Sequence, residues 1–179
     1  MKISKVIKMI AYLSFIGIGA PTAGGQVDGK PDQAHKLEAS LKKKGCSVAI
    51  QAGMKASPMS YDLQEIKLKK SCAKVLVTLS IPKDGLPRAA MGHNLVIAPE
   101  SKRMGIITAG LAQGLAKEYL AADKAGTGYL YATAVLGPGQ SHQIVVDVKM
   151  LEKHAGKGPL AFFCTFPGHS SMKGKIVFM

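Results

Sequence analysis

Apolar and polar residues alternate in short runs from Cys46 to the end of the chain. The runs lie at 47–51, 61–68, 74–81, 94–98, 129–136, 143–148, 160–164 and 175–178. Turns that contain glycine and proline separate them, as at 82–85 and 137–139. Because a strand with one buried face alternates apolar and polar side chains, the pattern predicts an all-β, two-sheet sandwich of about eight strands.

One segment breaks this alternation. Within 104–122, Leu111, Leu115 and Tyr119 recur near the spacing of a helix, which predicts one external helix packed by its apolar side against a sheet. Residues 25–45 are polar and rich in glycine and lysine, so we expect a polar linker there, with at most a short helical turn over 34–43. The domain itself is then expected to span 46–179.

The N-terminus has the order of features that is typical of a secretory signal peptide. Lys2, Lys5 and Lys8 precede an apolar stretch at 9–19, and a run of small residues follows at 19–25. The apolar stretch is short for a membrane span, so we expect residues 1–24 to be a signal peptide and the protein to be exported to a bacterial periplasm, with no membrane span after its removal. The alternative is an uncleaved N-terminal anchor.

Basic residues outnumber acidic ones, 24 against 11, which gives a formal net charge of +13. A basic surface suits nucleic acid, an anionic membrane surface or an acidic protein partner. The sequence carries no paired zinc fingers and no aromatic stacking motif, so no nucleic-acid binding is expected. Lysine clusters such as 42–44 are expected to be mostly solvated, with an effect on encounter rather than on fold.

The nine residues from Cys164 to Met172, with the sequence Cys-Thr-Phe-Pro-Gly-His-Ser-Ser-Met, contain a thiol, an imidazole and a thioether. Soft sulfur with nitrogen is the ligand set that copper prefers in trigonal sites with a weak axial thioether. Such a site needs a second histidine, and His93 at the start of an apolar run is the best candidate. Taken alone, His93 would be a hydrogen-bonded core residue and Cys164 a small apolar filler, so the joint motif carries the inference.

The two motifs, Met91-Gly-His-Asn and Cys164-Thr-Phe-Pro-Gly-His, resemble those of the azurins, blue-copper electron carriers of the cupredoxin family. The resemblance covers roughly 46–179, and includes the segments 110–120 and 160–164. It implies a cupredoxin-like Greek-key β-sandwich with one external helix, holding one type 1 copper per chain.

The resemblance also implies roles for single residues. His93, Cys164 and His169 would bind copper in one plane, Met172 would be a weak axial ligand, and the carbonyl of Gly92 a second weak axial contact. Around them, Asn94 would tie the two ligand loops together. The backbone amides of Asn94 and Phe166 would point at the thiolate and tune the reduction potential.

The edge of His169 is expected to be exposed within a flat apolar patch that gives electrons an exit. The patch would consist of Leu86, Met91, Leu111, Phe166 and Pro167. Ordinary scattered surface apolar residues are the alternative. His142 and His154 have no soft ligand beside them and are expected at the surface.

The chain has three cysteines, an odd number for an exported protein. If Cys164 is the metal thiolate, Cys46 and Cys72 remain for a disulfide. Pairing of Cys164 with either of the others would destroy the copper site.

The sequence departs from the azurin pattern in three ways, the first being three more residues than usual between the first two cysteines. Two residues separate His169 from Met172 where azurins usually have three, and no tryptophan is present. We expect Met172 to remain the axial ligand because a long, flexible thioether tolerates a shifted backbone. Alternatively Met172 packs in the core, and the Gly92 carbonyl or Met179 dominates the axis.

These features together predict a periplasmic carrier of single electrons rather than an enzyme. Redox proteins such as c-type cytochromes or a terminal reductase would be its partners, and the carrier would be a monomer. One alternative is a periplasmic copper-binding and delivery protein with the same ligands. A thiol hydrolase that uses Cys164 with His169 as base lacks an orienting third group.

Overall fold

The computed structural model describes residues 31–121 and 128–179. The predicted signal peptide and the first part of the predicted linker lie outside the described residues. The strands are β1 Ser47–Met54, β2 Ser57–Tyr61, β3 Glu65–Leu68, β4 Lys74–Ser80, β5 Val96–Pro99, β6 Tyr131–Ala132, β7 Ser141–Asp147, β8 Leu160–Phe163 and β9 Lys173–Phe178. The helices are α1 Pro31–Lys43, α2 Arg88–Met91, α3 Arg103–Leu111 and α4 Val148–Ala155.

Two sheets enclose one main core. The first sheet has the order β2-β1-β4-β7 and the second the order β3-β9-β8-β5-β6. The pairs β1–β4 and β3–β9 are parallel, whereas the other neighbours are antiparallel. Buried residues of both sheets share this core, where the ring of Tyr61 lies edge-on at 5.1 Å from that of Phe162. Apolar burial between the sheets therefore fixes the scaffold on which the candidate ligands stand.

Two of the predicted strands differ from those observed. The run 61–68 divides between two sheets, because β2 ends at Tyr61 and β3 begins only at Glu65. In the run 129–136 only Tyr131–Ala132 is a regular strand. The described residues therefore hold nine short strands where about eight were predicted.

The single helix predicted over 104–122 is shorter than expected and is accompanied by others. Helix α3 ends at Leu111, and a 3₁₀ turn follows at Leu115–Lys117. Helix α4 begins where a strand was expected to end, because the side chain of Asp147 caps it by accepting a hydrogen bond from the Met150 amide at 2.9 Å. An aspartate before an apolar i, i+3 pair is a recognisable helix start, so the sequence did contain this signal.

Residues 31–43 of the predicted polar linker form a helix that belongs to the fold. Leu41 on α1 is buried in the main core, and its carbonyl accepts a hydrogen bond from the Cys46 amide at 2.9 Å. The side chain of Gln143 on β7 donates to Glu38 at 2.9 Å. Most residues of this helix are polar, so its few apolar positions form only a weak amphipathic pattern in the sequence.

The disulfide between Cys46 and Cys72 is present, with a Cα–Cα distance of 5.8 Å, and Cys164 is free and buried. Closing a loop of this length stabilises the fold by about 3–4 kcal/mol in the chain-entropy account. Among the described residues, no helix combines the length and apolar character needed to cross a bilayer.

Candidate metal centre

The candidate ligands come from two places on the second sheet. His93 lies just before β5, where it forms an isolated antiparallel bridge with Leu136: each residue's amide donates to the other's carbonyl, at 3.1 and 2.7 Å. Cys164 directly follows β8, while His169 and Met172 lie in the loop between β8 and β9. The adjacency of β5 and β8 in the sheet brings these two places together.

Residues 164–172, the ligand loop, are closed by their own hydrogen bonds. The Cys164 amide donates to the Met172 carbonyl at 3.1 Å, so the two ends of the loop are joined. Inside it, the amides of His169 and Met172 donate to the carbonyls of Phe166 and His169, at 3.1 and 2.8 Å. Gly168 has φ +82°, a conformation that glycine adopts at little cost. These bonds turn His169 back toward Cys164.

One ligand atom each from His93, Cys164 and His169 lies within 4.8 Å of the other two. The distance from Cys164 Sγ to His169 Nδ1 is 3.5 Å, and the two imidazole rings are stacked with centroids 4.8 Å apart. Sulfur and nitrogen atoms bound to one metal at about 2.0–2.3 Å lie roughly 3.5–4 Å apart. The three side chains are therefore spaced to share a single ion.

His93 Nδ1 provides an independent test of this fit. Among the described residues it is the one buried side-chain nitrogen or oxygen that has no hydrogen-bond partner. Leaving such an atom unpaired is costly, and buried polar groups nearly always find a partner. A metal ion between the three side chains would satisfy His93 Nδ1.

Burial sets the protonation states of the three groups. It lowers the pKa of His93 to about 4, with a further contribution from the neighbouring His169, and it also lowers the pKa of His169. Both imidazoles are therefore neutral near pH 7 and can offer a lone pair. Burial raises the pKa of the Cys164 thiol to about 11, so a cation must displace its proton on binding. A thiolate with two neutral imidazoles is a donor set that suits copper.

Backbone amides surround the sulfur as expected. The Phe166 amide donates to Cys164 Sγ at 3.4 Å, and hydrogen bonds from the amides of Asn94 and Phe166 oppose the rise in the pKa of Cys164. Hydrogen bonds to a ligating sulfur stabilise its negative charge and influence the potential of the metal.

Asn94 joins the two ligand loops. Its Oδ1 accepts from the Thr165 amide at 2.9 Å, and its Nδ2 donates to Thr165 Oγ1 at 2.8 Å. The Tyr61 hydroxyl donates to the Asn94 carbonyl at 2.5 Å. The residue after His93 is thus fixed to the residue after Cys164, which confirms the expected role of Asn94.

The remaining candidates differ in what surrounds them. Gly92 is buried, and a Cβ at this position would overlap Val135 and the carbonyl of Arg88, so glycine is required for close packing here. Met172 is 2% exposed, whereas Met179 is 56% exposed. Burial at the end of the ligand loop favours Met172 over Met179 for the axis, and the axial roles of Met172 and Gly92 stay predictions.

The expectation that the edge of His169 is exposed was wrong. His169 is 2% exposed, because the thioether of Met91 covers it: Met91 Sδ lies 3.2 Å from His169 Nε2. Phe166, expected in the surface patch, is also buried, with its ring 5.0 Å from that of His169. Leu86 and Leu111 are exposed as expected.

His142 is half-buried and not a surface residue as predicted. Its Nδ1 accepts a hydrogen bond from the Ala134 amide at 2.8 Å, and burial lowers its pKa against the opposing effect of the Glu118 carboxylate. Neither Glu118 nor Thr165 was identified from the sequence, since their contacts to the site depend on residues far away along the chain.

Comparison with known proteins agrees with this geometry. The family model described as copper binding proteins, plastocyanin/azurin family, matches residues 47–179. An azurin of Pseudomonas aeruginosa is 37% identical over 141 residues, which cover 78% of this chain and 89% of the relative. An azurin of Pseudomonas chlororaphis is 40% identical over 121 residues, which cover 66% of this chain and 89% of the relative.

A solved structure is also similar. An azurin, Az-iso2, from the obligate methylotroph Methylomonas sp. strain J matches with a TM-score of 0.65 and 24% sequence identity, over 75% of this chain and 98% of that one. This likeness confirms the predicted fold, a cupredoxin-like Greek-key β-sandwich.

Proposed function

This chain belongs to the plastocyanin/azurin family of copper-binding proteins, and we propose that it carries single electrons in the periplasm through one type 1 copper bound by His93, Cys164 and His169. Met172 and the Gly92 carbonyl would add weak donors to this site. When bound, copper supplies a one-electron couple between Cu(II) and Cu(I).

The observation that carries the proposal is the preformed, buried triad of ligand atoms, with His93 Nδ1 unpaired until a metal arrives. His93, Cys164 and His169 are each 2% exposed or less. The three ligand side chains are therefore shielded from solvent, and electron transfer does not require direct contact between the partner and the metal. These features favour an electron carrier over an enzyme.

The protein's contribution is to hold the ligands still. Asn94 clamps both loops, and the hydrogen bond between Cys164 and Met172 closes one of them. Ligands fixed in this way cannot rearrange freely when the charge at the centre changes by one unit. Small rearrangement lowers the barrier to electron transfer, in the same way that preorganised groups lower the barrier to other reactions.

Partners are expected to dock near His169 and Met91. Leu86 is 58% exposed and Leu111 is 46% exposed, and Pro167 of the ligand loop is also at the surface. The excess of basic residues, 21 against 11 acidic once residues 1–24 are removed, would attract partners with an acidic surface, while the apolar residues make the close contact. Redox proteins such as c-type cytochromes or a terminal reductase are the expected partners. Transfer to such partners should slow as the salt concentration rises.

The periplasmic location is supported by the N-terminal pattern of residues 1–24 and by the disulfide between Cys46 and Cys72. Disulfides persist in oxidising compartments, of which the bacterial periplasm is one. Removal of residues 1–24 takes away Lys2, Lys5 and Lys8 and leaves 21 basic and 11 acidic residues, a formal charge of +10.

The test is the addition of Cu(II) to the purified apo-protein, followed by visible and electron paramagnetic resonance spectra. An intense blue band with narrow copper hyperfine splitting is expected, whereas a colourless complex or no complex would contradict the proposal. Delivery of copper is distinguished by a chelator challenge: a carrier loses copper slowly and is reduced rapidly by a c-type cytochrome, whereas a delivery protein gives up its copper readily.

A further inference from the structure

Helix α3 is followed by a backbone segment, residues 114–120, in an unusual conformation. Glu118 has φ +59° and Tyr119 has φ +50°, two adjacent non-glycine residues in the left-handed region. A Cβ at Gly110 on α3 would overlap the Tyr119 carbonyl, so this helix carries a glycine where the segment approaches it. Strain of this kind persists where surrounding contacts fix the backbone, and it clusters near functional sites.

The side chain of Glu118 makes the first set of these contacts. Both of its carboxylate oxygens lie 2.7 Å from an Arg88 guanidinium nitrogen, and Oε2 also accepts from the Val135 amide at 2.6 Å. Arg88 Nε donates to the Val135 carbonyl at 2.7 Å. Arg88 begins helix α2, which leads into His93, and Val135 precedes the Leu136 that pairs with His93. The carboxylate therefore joins the chain before His93 to the segment paired with it.

The backbone of the segment makes the second set. The Glu118 carbonyl accepts from Asn94 Nδ2 at 3.3 Å, and Asn94 in turn provides an amide hydrogen bond to Cys164. The Tyr119 ring lies edge-on to Phe166 at 5.3 Å, and Phe166 lies against His169. Glu118 thus contacts the residue that follows His93, and Tyr119 contacts the ligand loop.

We propose that Glu118 is a positioning residue of the metal centre, and that its carboxylate holds helix α2 and the segment 133–136, which flank His93, in place relative to the ligand loop. This proposal rests on the proposed function, in which the site binds copper. Loss of the carboxylate frees helix α2 and the segment 133–136 to move apart. The Asn94 amide then shifts away from the Cys164 sulfur, and a thiolate with fewer hydrogen bonds stabilises Cu(II) and lowers the reduction potential.

The competing interpretation is a dispensable surface ion pair. The side chains of Arg88 and Glu118 are 37% and 34% exposed, and pairs with such exposure contribute little to stability on their own. The two interpretations differ in where the effect of a substitution is felt. A surface pair affects stability alone, whereas a positioning residue affects the metal and the sulfur.

The experiment compares Glu118→Gln, Glu118→Ala and Glu118→Gly with the control Glu65→Ala. Glu65 has a similar exposure, 36%, and pairs with Lys175 at 2.7 Å, and the control thus removes a comparable ion pair between β3 and β9. Copper affinity and reduction potential are measured in the copper form. In the apo-protein, the rate of Cys164 alkylation by iodoacetamide is measured, because it needs no metal.

Glu118→Ala should weaken copper binding about tenfold or more, the usual cost of removing an outer partner of a metal ligand. It should also lower the reduction potential and speed alkylation of apo-Cys164 by about tenfold, through opening of the buried thiol. Glu118→Gln keeps an oxygen for the Val135 amide and should restore affinity to within about threefold of the parent. The control Glu65→Ala should leave affinity, potential and alkylation rate unchanged.

Glu118→Gly decides between the interpretations. Glycine relieves the left-handed strain and so should be at least as heat-stable as Glu118→Ala, yet it should show the same losses at the metal centre. If Glu118→Gly keeps the parent's affinity, potential and alkylation rate, the proposal is overturned and the pair is a surface ion pair. Alkylation of the apo-protein gives this answer even if the parent forms no blue complex, an outcome that would instead overturn the proposed function. If Glu118→Ala does not fold, the comparison of Glu118→Gly with Glu118→Gln and the parent gives the same answer, because losses are expected only in the glycine variant.

Discussion

His169 Nε2 and Met91 Sδ lie 3.2 Å apart, so a thioether covers the outer edge of a candidate copper ligand. Sulfur is a weak hydrogen-bond acceptor, so the thioether offers the imidazole only a weak polar contact while shielding it from solvent. A partner that docks on this side of the protein would therefore contact the Met91 side chain, and not His169 itself.

Replacement of Met91 by glutamate should lower the reduction potential and slow electron exchange with acidic partners. A carboxylate beside the Nε2–H of a ligand makes the imidazole more electron-rich and favours Cu(II), and it also repels negative charge. Met91→Leu is the control, because it keeps the apolar cover and adds no charge. Voltammetry and stopped-flow transfer measure the two effects. Equal potentials in the two variants would show that this contact does not reach the metal.

Exogenous imidazole should restore the blue spectrum of His169→Gly poorly, because the gap is covered. In the double variant Met91→Ala/His169→Gly the cover is removed, and imidazole should restore the spectrum at a concentration about tenfold lower, or less. Titration of both variants followed by visible spectroscopy is the measurement. Equal rescue in the two would contradict the covering role of Met91.

The apo-protein should lose stability as the pH falls from 7 to 5. Folded His93 has a pKa of about 4 against an ordinary value of 6.5, so the unfolded chain binds more protons between these values and acid favours unfolding. Its contribution between pH 7 and pH 5 is ~2 kcal/mol. The lowered pKa values of His169 and His142 act in the same direction. Urea unfolding at both pH values checks this, and the loss should shrink in His93→Gln; an unchanged loss would assign the effect to other groups.

Copper binding near neutral pH should release about one proton per ion, with affinity rising about tenfold per pH unit. The proton comes from Cys164, whose thiol has a pKa of about 11, since His93 is already neutral. Calorimetry in buffers of different ionisation enthalpy counts the protons. Cys164→Ser should lose both the intense blue band and this proton release. Release of no proton by the parent would mean that the thiol does not bind the metal.

Met172→Leu should keep a blue site but raise its reduction potential. Leucine fills nearly the same buried volume, so the fold should change little, while loss of a weak donor disfavours Cu(II). Lys173→Leu is a nearby surface control that leaves the sulfur in place. A spectrum and potential identical to those of the parent would remove Met172 from the axis.

The sequence was sufficient for the parts of the molecule that depend on local spacing. The largely alternating run 74–81 predicted β4, and the continuous apolar run 160–164 predicted the fully buried strand β8, both nearly to the residue. The two ligand motifs were recognisable because metal chemistry demands particular residue types. His93, Cys164 and His169 accordingly converge in space.

The misses come from contacts between distant parts of the chain. Whether the ring of His169 is exposed depends on the conformation of Met91, 78 residues away, and no periodicity encodes it. The run 61–68 alternates on both sides of Gln64 and Glu65, two consecutive polar residues that shift its phase, and the chain changes sheets close to this point. Glu118 acts through Arg88 and Val135, and an isolated glutamate in a loop gives no sign of such partners.

The ligand loop starts and ends at a single pair of neighbours in the sheet, Phe163 on β8 opposite Lys173 on β9. The pairing of these two strands therefore does not depend on the number of residues in the loop. A loop one residue shorter or longer can connect the same two strand ends. This independence explains how the chain accommodates only two residues between His169 and Met172. The length of the loop can therefore differ between relatives, and such a difference changes the position of the Met172 thioether while the two sheets and His93 stay in place.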